Sequence, residues 1–313
     1  MKAIVYHKYG SPQVLSFSEV PLPPVKANQV LVKVRASGLN PIDCEIRKGR
    51  MQVVTGNRFP RIPGCDFAGD IVEVGRKVKG FEIGDAVYGM AETFTGGAYA
   101  EYLTISPGEI APKPDNLSYE EAAAIPLAAL TALQAYQNLG NIRPGMEVFI
   151  HGASGGVGVF AIQLAKAFGA KVTASASFRN TDLLKELGAD RTIDYTRQNV
   201  LSLGQKFDIF FDVYGNQSLA KARKSLRPQG RYISTIPNPR NFRDQFFSIL
   251  LPQKAKVVVV KSLARDLLFL RRLVEEEKVL PILDRSFDLQ EAEKAQTYLE
   301  SRRARGKVVL QVS

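Results

Sequence analysis

The chain has 313 residues, a formal net charge of +11 and 45% hydrophobic residues, which is enough apolar content to build a large core and two domains. Its two cysteines, Cys44 and Cys65, are too few for a disulfide framework. No stretch is long and apolar enough to span a bilayer, and the first ten residues lack a secretory pattern. We therefore expect no membrane partner and a cytoplasmic location, with an organelle as the alternative if a targeting peptide has been removed.

The positive charge is scattered along the chain and does not form a nucleic-acid motif. Its densest groups, Arg271/Arg272 and Arg302/Arg303/Arg305, lie close in sequence to acidic residues. No zinc finger, recognition helix or aromatic RNA-binding motif accompanies them. We expect no specific nucleic-acid partner and interpret the charge as a field that steers an anionic cofactor.

The first 120 residues consist of short alternating segments separated by turn residues, which predicts an all-β lobe. From Tyr119 to Leu139 the pattern becomes helical, and Ser118 with Glu121 has the spacing of a capping box. Strand and helix patterns then alternate to about Val260, as expected for a parallel α/β sheet.

A glycine-rich turn between a strand and a helix is the strongest local signal. Val148–Ile150 is an apolar strand, and Ala153, Gly155 and Gly158 follow in A-x-G-x-x-G spacing before a helix that ends at Gly169. This βαβ arrangement predicts that a pyrophosphate binds at the helix N-terminus. The residues predicted to hold it are Ser154, Gly155, Gly156, Val157 and Gly158. The alternative is a glycine-rich turn of purely structural purpose.

The end of the next strand predicts which nicotinamide cofactor binds. An acidic side chain at this place would bind the ribose hydroxyls of NADH, and none occurs between Lys171 and Thr181. Ser177 and Arg179 instead offer a hydroxyl and a guanidinium that suit the 2′-phosphate of NADPH, and Asn180 follows them. We therefore predict NADPH; the alternative interpretation of Arg179 is a solvated loop cation.

Three later segments bear on ligand binding and assembly. Tyr214 and Gly215 follow the strand FDIFFDV, at the end where ligands bind in open α/β sheets. The segment Pro237–Leu251 is either a flap over the acceptor or a packed connection. AKVVVVKS predicts an apolar strand, which a dimer could pair or flanking lysines could protect. The tail contains two helices and the terminal strand KVVLQV, and periodicity does not say which lobe it joins.

Several motifs along the whole chain resemble one family. They are ASGLNPID (Ala36–Asp43), IPGCDFAGDIVEVG (Ile62–Gly75), GDAVYG (Gly84–Gly89), AAAIPLAALTALQAY (Ala122–Tyr136), the HGASGGVG loop and RGKVVL (Arg305–Leu310). In order and spacing the chain resembles the zinc-independent quinone oxidoreductases, the zeta-crystallin-like family of the medium-chain dehydrogenase/reductase superfamily.

The resemblance implies a fold and a reaction. The fold is α/β: a Rossmann doubly wound parallel sheet domain (122–261) inserted in a GroES-like all-β catalytic domain (1–121 and 262–313). The reaction implied is NADPH-dependent hydride transfer to a quinone or an α,β-unsaturated carbonyl, in a cleft and without a metal. Relatives also pack a tyrosine, here Tyr195, beside the adenine and often form homodimers.

Residues at the zinc positions of the related alcohol dehydrogenases do not form a ligand set. Those enzymes have a cysteine where this chain has Asn40, a Gly-His-Glu triplet at Gly64–Asp66 and a third ligand near Leu127. Cys65 alone could bind metal, whereas catalytic zinc needs three protein ligands. We predict no metal and interpret Cys65 as a small buried side chain.

Catalysis without a metal relies on orientation and hydrogen bonding. By resemblance, Asn40 and Asp43 border the acceptor and Thr131 faces the nicotinamide, although Asn-Pro-x-Asp is also ordinary turn chemistry. Several relatives carry a tyrosine in place of Glu45; this chain either lacks that proton donor or uses Tyr88 or Tyr99. The alternative function is an NADPH-binding redox sensor or polyanion-binding protein with little turnover.

Overall fold

The computed structural model of the protein describes residues 1–202 and 204–312. Its strands are β1 (Lys2–Val5), β2 (Ser16–Glu19), β3 (Val30–Gly38), β4 (Asp66–Val74), β5 (Ala86–Met90), β6 (Tyr102–Ile105), β7 (Ile110–Pro112), β8 (Glu147–His151), β9 (Lys171–Ala176), β10 (Arg191–Asp194), β11 (Phe207–Asp212), β12 (Leu226–Ser234), β13 (Lys254–Val257), β14 (Leu283–Asp288) and β15 (Lys307–Gln311). Its α-helices are α1 (Pro41–Arg47), α2 (Gln52–Thr55), α3 (Tyr119–Ala123), α4 (Pro126–Gln134), α5 (Gly156–Ala167), α6 (Thr181–Glu186), α7 (Leu219–Ala222), α8 (Pro239–Phe247), α9 (Ala264–Glu275) and α10 (Ala292–Glu300).

The chain divides into two units that are each formed by discontinuous segments. Unit 1 contains Met1–Ala128, Ser262–Glu277 and the residues from Pro281 onward, and unit 2 contains Ala129–Lys261 and Lys278–Leu280.

Unit 1 is built on a seven-stranded sheet in which the two ends of the chain meet. Its order is β14-β15-β3-β4-β5-β7, with β6 also paired to β3. The last strand, β15, is antiparallel to β3, and Leu310 lies opposite Ser37. Val30, Val32 and Val34 of β3 are fully buried in the same apolar cluster as Leu310. The C-terminal tail therefore belongs to the β lobe, as the family resemblance implied.

Unit 2 contains a six-stranded parallel sheet of order β10-β9-β8-β11-β12-β13. This is the strand order of doubly wound dinucleotide-binding folds, which place their ligands at the carboxyl ends of the central strands. The sheet is held by aromatic packing, in which the Phe149 ring lies 4.7 Å from that of Phe210 and 5.2 Å from that of Phe207. The predicted α/β fold with a Rossmann sheet is confirmed.

The predicted long helix after Ser118 is interrupted. Ser118 and Glu121 do form a capping box at the start of α3, as predicted. Proline lacks an amide donor and disfavours helical backbone at the residue before it, so the chain breaks at Ile125 and a second helix begins at Pro126.

The segment around α8 is a packed connection. The Ser248 hydroxyl accepts the Ala255 amide of β13 at 2.9 Å, and the Gln245 side-chain oxygen accepts the Val257 amide at 2.8 Å. These bonds hold the end of α8 against β13. The strand itself covers only Lys254–Val257, so the prediction that all of AKVVVVKS is strand was too long.

Candidate functional site

The turn between β8 and α5 has the close backbone contacts that its glycines predict. Gly152 has φ +81°, and a Cβ there would lie 2.9 Å from Cβ of Tyr214. A Cβ on Gly158 would lie 2.5 Å from the backbone carbonyl of Ala153. Glycine at these two places lets the turn pass Tyr214 and lets the first turn of α5 pack on the loop before it.

Gly155 differs from these glycines because it borders open space. It is the residue before α5, with extended backbone at φ −84°, and a Cβ there would meet nothing nearer than the Gly152 carbonyl at 3.7 Å. The first amides of a helix have no intrahelical acceptor, and they carry the positive end of its dipole. The space beside Gly155 therefore fits a diphosphate.

The polar residues predicted after β9 lie beside this turn. The Asn180 amide donates to the Ser154 hydroxyl at 3.0 Å, which ties the loop after β9 to the loop after β8. Oδ1 of Asn180 is buried and accepts no hydrogen bond from the described residues. Ser177 precedes the short 3₁₀ turn Phe178–Asn180, which carries the exposed Arg179. Oδ1 of Asn180 can thus accept a hydrogen bond from a bound ligand.

His151, which the sequence analysis did not single out, joins the predicted aromatic residues. Its Nδ1 lies 3.0 Å from the Ser175 hydroxyl and its Nε2 lies 2.9 Å from the Asn216 side-chain oxygen. The rings of Tyr195 and Tyr214 are 6.4 and 6.2 Å from the imidazole, both nearly perpendicular to it. The last residue of β8 thus brings together the loops that follow β10 and β11.

A cavity of about 650 Å³ opens beside His151 and Tyr195. The cationic side chains of Arg197 and Lys221 line it, and Arg197 also lies over the Phe178 ring at 5.2 Å. The other lining residues are Thr196, Gln198, Asn199, Val200, Leu201, Phe210, Asn216 and Gln217. A volume of this size is typical of small-molecule sites, and its lining suits an anionic nucleotide.

The loop after β11 is held by a buried carboxylate. Asp212 accepts the Gly215 amide at 2.8 Å, the Gln217 amide at 2.8 Å and the Tyr232 hydroxyl at 2.8 Å. Gly215 has φ +81°, and a Cβ there would overlap the Ile236 side chain. Gly215 is therefore needed for loop geometry, and Tyr214 beside it is half-exposed.

Unit 1 contains a second polar cluster, formed by the Asn-Pro-x-Asp turn. Asn40 precedes α1 and its backbone amide donates to Oδ2 of Asp43 at 2.9 Å, so the two residues share a capping box. The Asn40 amide nitrogen donates to Oδ2 of Asp66 at 2.9 Å, and its oxygen accepts the Lys307 ammonium at 2.6 Å. Lys307 also reaches Asp66 at 3.3 Å. All four side chains are buried.

Burial changes the ionisation of Asp43. Desolvation raises its pKa to about 7, opposed by the hydrogen bond from the Asn40 amide. The Tyr99 hydroxyl donates to Oδ2 of Asp43 at 3.1 Å, and Sγ of Cys65 lies 3.9 Å from Oδ1. Asp43 also lines a cavity of about 10 Å³ beside Arg61 and the turn at Thr93–Gly96, which is room for one water molecule.

The other predicted acceptor-side residues have different surroundings. Thr131 is 5% exposed and lies in α4 of unit 2, whereas Asn40 and Asp43 belong to unit 1. Glu45 forms a salt bridge with Arg50 at 2.7 Å. Tyr88 is buried and donates to the Leu267 carbonyl at 2.7 Å, so its proton is already engaged. Of the two candidate tyrosines, only Tyr99 contacts the Asp43 cluster.

The parallel sheet and its glycine loop define a dinucleotide-binding protein with an added β lobe. The family description "Alcohol dehydrogenase GroES-like domain" matches residues 26–115, and "Zinc-binding dehydrogenase" matches residues 187–310. The 2-methylene-furan-3-one reductase of Solanum lycopersicum is 39% identical over 99% of this chain and 79% of its own length. The chloroplastic NADPH-dependent alkenal/one oxidoreductase of Arabidopsis thaliana is 36% identical over the same shares. The quinone oxidoreductase structure from Coxiella burnetii is 36% identical, with a TM-score of 0.94 over 100% of this chain and 99% of that one.

The chain belongs to the zinc-independent quinone oxidoreductase family of the medium-chain dehydrogenase/reductase superfamily. The predicted family is confirmed.

The residues at the zinc positions of the alcohol dehydrogenases do not fit a zinc ion. The Asp66 carboxylate there is already bound by the Lys307 ammonium, the Asn40 amide and the Leu127 backbone amide. Leu127 has no ligating side chain, and burial raises the pKa of the Cys65 thiol, which opposes the thiolate form that binds metal. Among the described residues no group of three or more His, Cys, Asp or Glu could hold a metal.

Proposed function

We propose that the protein is an NADPH-dependent oxidoreductase that transfers hydride to a quinone or to an α,β-unsaturated carbonyl. The observation that carries this proposal is the open space beside Gly155 at the start of α5, on a parallel sheet that also carries a cavity lined by Arg197 and Lys221. Relatives are named for quinones, alkenals or enones as acceptors, and one is named as NADPH-dependent. Substrates of both classes accept hydride at an electron-poor carbon or oxygen.

The residues around the glycine turn fit the cofactor. Gly155, Gly156, Val157 and Gly158 would hold the diphosphate at the start of α5, with Ser154 at its side. Ser177 and Arg179 would bind the 2′-phosphate, and the buried side-chain oxygen of Asn180 would accept a hydrogen bond from the cofactor. Tyr195, which lines the cavity beside His151, would border the adenosine half together with Tyr214 and Gly215. When bound, the reduced nicotinamide supplies a hydride.

Asn40, Asp43 and Thr131 are our proposed residues for the acceptor end. Buried, hydrogen-bonded side chains such as Asn40 and Asp43 hold a fixed orientation and exclude water, which lowers the barrier by pre-organisation. The proposed domain limits are 1–121 and 262–313 for the catalytic domain and 122–261 for the cofactor domain.

Steady-state oxidation of NADPH with a panel of quinones, 2-alkenals and cyclic enones tests the function. We expect saturable turnover with at least one acceptor class, and slower turnover with NADH. Binding of NADPH without turnover above background for any acceptor would contradict the enzyme and favour a sensor.

We further propose a homodimer that pairs the β13 edge of two copies. β13 is an edge strand of the parallel sheet formed by the described residues. Next to it, exposed apolar side chains form a patch, with Leu250 91% exposed. The other members are Phe246, Phe247, Ile249 and Val259. Patches and sheet edges of this kind are commonly covered by a twofold partner.

Light scattering after size-exclusion chromatography tests the dimer. The wild type is expected at twice the 34.5 kDa mass of one chain. Leu250→Lys is expected to shift the mass to one chain, because the new charge would be buried in the interface. Ile83→Lys, at an exposed apolar residue of unit 1, is the control and should leave the mass unchanged. A single-chain mass for the wild type would overturn the dimer.

Among the described residues no helix is both long and apolar enough to cross a membrane. For the location we keep the cytoplasm as our proposal and an organelle as its alternative, since a spinach relative carries the word chloroplastic in its name. Imaging of a fluorescent fusion of the full-length gene product distinguishes the two.

A further inference from the structure

The buried cluster of unit 1 contains the Lys307 ammonium, to which the proposed reaction assigns no role. Lys307 is 3% exposed and comes from the C-terminal strand, 267 positions from Asn40. Its ammonium contacts the Leu39 carbonyl at 3.0 Å, Oδ1 of Asn40 at 2.6 Å and Oδ2 of Asp66 at 3.3 Å. A buried ammonium is costly unless each proton finds an acceptor, and here all three do.

These contacts determine how the Asn40 amide is oriented. Its oxygen faces an ammonium, which has no acceptor, and its nitrogen faces the Asp66 carboxylate at 2.9 Å. A flipped amide would place nitrogen against Lys307 and oxygen against Asp66, both repulsive. The Asn40 backbone amide donates to Oδ2 of Asp43, so the residue that Lys307 holds by its side chain also holds one oxygen of the Asp43 carboxyl.

The Asp43 carboxyl has two unlike oxygens. Oδ2 accepts two hydrogen bonds, from the Asn40 amide and the Tyr99 hydroxyl, whereas the contact of Oδ1 with Cys65 is a weak one at 3.9 Å. A proton on this carboxyl therefore belongs on Oδ1. A water molecule in the one-water cavity that Asp43 lines would return a lost proton to the carboxyl.

We propose that the Asp43 carboxyl holds the proton that the reaction consumes, and that Lys307 is the positioning residue that orients it through Asn40 and Asp66. This rests on the proposed function for the reaction itself. Hydride addition to the β-carbon of an enone would break a C–H bond of the reduced cofactor, form the new C–H bond with the same electron pair and move the C=C electron pair toward oxygen. Asp43 then gives its proton to the α-carbon of the resulting enolate, becomes a carboxylate and regains a proton from solvent.

The charges around Asp43 predict how its titration responds to substitution. The Lys307 ammonium lowers the pKa of Asp43 from within the cluster, while the Asp66 carboxylate raises it. The other titratable groups that face Asp43 are Tyr6, Cys44, Arg61, Cys65 and Tyr99. Removal of the Lys307 charge therefore moves the titration of Asp43 to higher pH, and Lys307→Arg leaves it nearly in place.

Infrared difference spectroscopy of the full chain tests this without turnover. The wild type should show a protonated-carboxyl band that is absent in Asp43→Asn and that disappears as the pH rises through about 7. The spectrum of Lys307→Met is compared with that of the double variant Asp43→Asn/Lys307→Met. In Lys307→Met the band should persist to a pH at least one unit higher than in the wild type. Identical bands in the wild type and Asp43→Asn, or unchanged titration in Lys307→Met, would overturn the proposal.

Kinetics give a second and separable readout. The turnover of the wild type should decrease above about pH 7. Asp43→Asn should turn over at least a hundredfold more slowly, and its turnover should not decrease over this pH range. In Lys307→Met the decrease should occur at higher pH. If Lys307→Met does not fold, the paired variant Asp66→Asn/Lys307→Met removes both charges and should still lose at least tenfold in turnover with an unchanged KM for NADPH. Wild-type turnover in that variant would contradict the role of Lys307. Absence of turnover in the wild type with the predicted band present would instead refute only the proposed function.

Discussion

Gly155→Val is expected to remove NADPH binding while the fold persists. Gly155 has backbone angles that any residue adopts and has open space where a side chain would begin, so valine fits the protein. The same space is our proposed diphosphate site, and a branched side chain there would separate the phosphates from the first amides of α5. We expect the dissociation constant for NADPH to rise at least a hundredfold, about 2.8 kcal/mol.

The stability cost of Gly155→Val should be small. Replacing glycine by valine before a helix costs about 1 kcal/mol, which lowers the melting temperature by less than about 4 °C, because the shift decreases with chain length. Gly108→Val is the matched control, because that glycine also has open space around it, with Ser106 Oγ at 3.8 Å, and lies in unit 1. Normal NADPH affinity in Gly155→Val would show that the diphosphate binds elsewhere.

Arg179→Ala is expected to weaken NADPH much more than NADH. A guanidinium that binds a phosphate contributes a charge-assisted hydrogen bond of about 1.5–3 kcal/mol, so the NADPH dissociation constant should rise about ten- to a hundredfold. NADH lacks the 2′-phosphate and should lose less than about twofold. Fluorescence or calorimetric titration of both cofactors measures the two changes.

Arg191→Ala controls for the loss of one positive charge. Arg191 is exposed and begins β10, at the opposite end of the parallel sheet from the ligand loops. Both cofactors should bind this variant as they bind the wild type. Equal losses of affinity for NADPH and NADH in Arg179→Ala would contradict the assignment of that residue to the 2′-phosphate. Arg197 and Lys221, which line the nearby cavity, would then be the cations to test.

Local parts of the fold could be predicted because their causes are local. The glycine turn follows from sterics within seven residues, and the capping box of Ser118 with Glu121 requires only four. The break at Pro126 could also have been predicted, since proline is favoured at helix starts and opposes helix before it. The helical periodicity on both sides of Ile125 obscured that signal.

Other parts depend on contacts between distant segments, which periodicity does not reveal. Lys307 looked like the first residue of a terminal strand, and only the pairing of β15 with β3 brings it to Asn40. His151 looked like the end of a buried strand until the loops after β10 and β11 placed Tyr195 and Tyr214 around it. The family resemblance, not the residue pattern, placed Asn40 and Asp43 together at the acceptor end.

Calorimetric titration of the full chain with NADPH and NADH tests most directly whether the glycine turn is a dinucleotide site. We predict saturable binding of one NADPH per chain, at least tenfold tighter than the binding of NADH. We predict no heat of binding for NADPH in Gly155→Val. Saturation by neither nucleotide, or tighter binding of NADH, would contradict the proposed site.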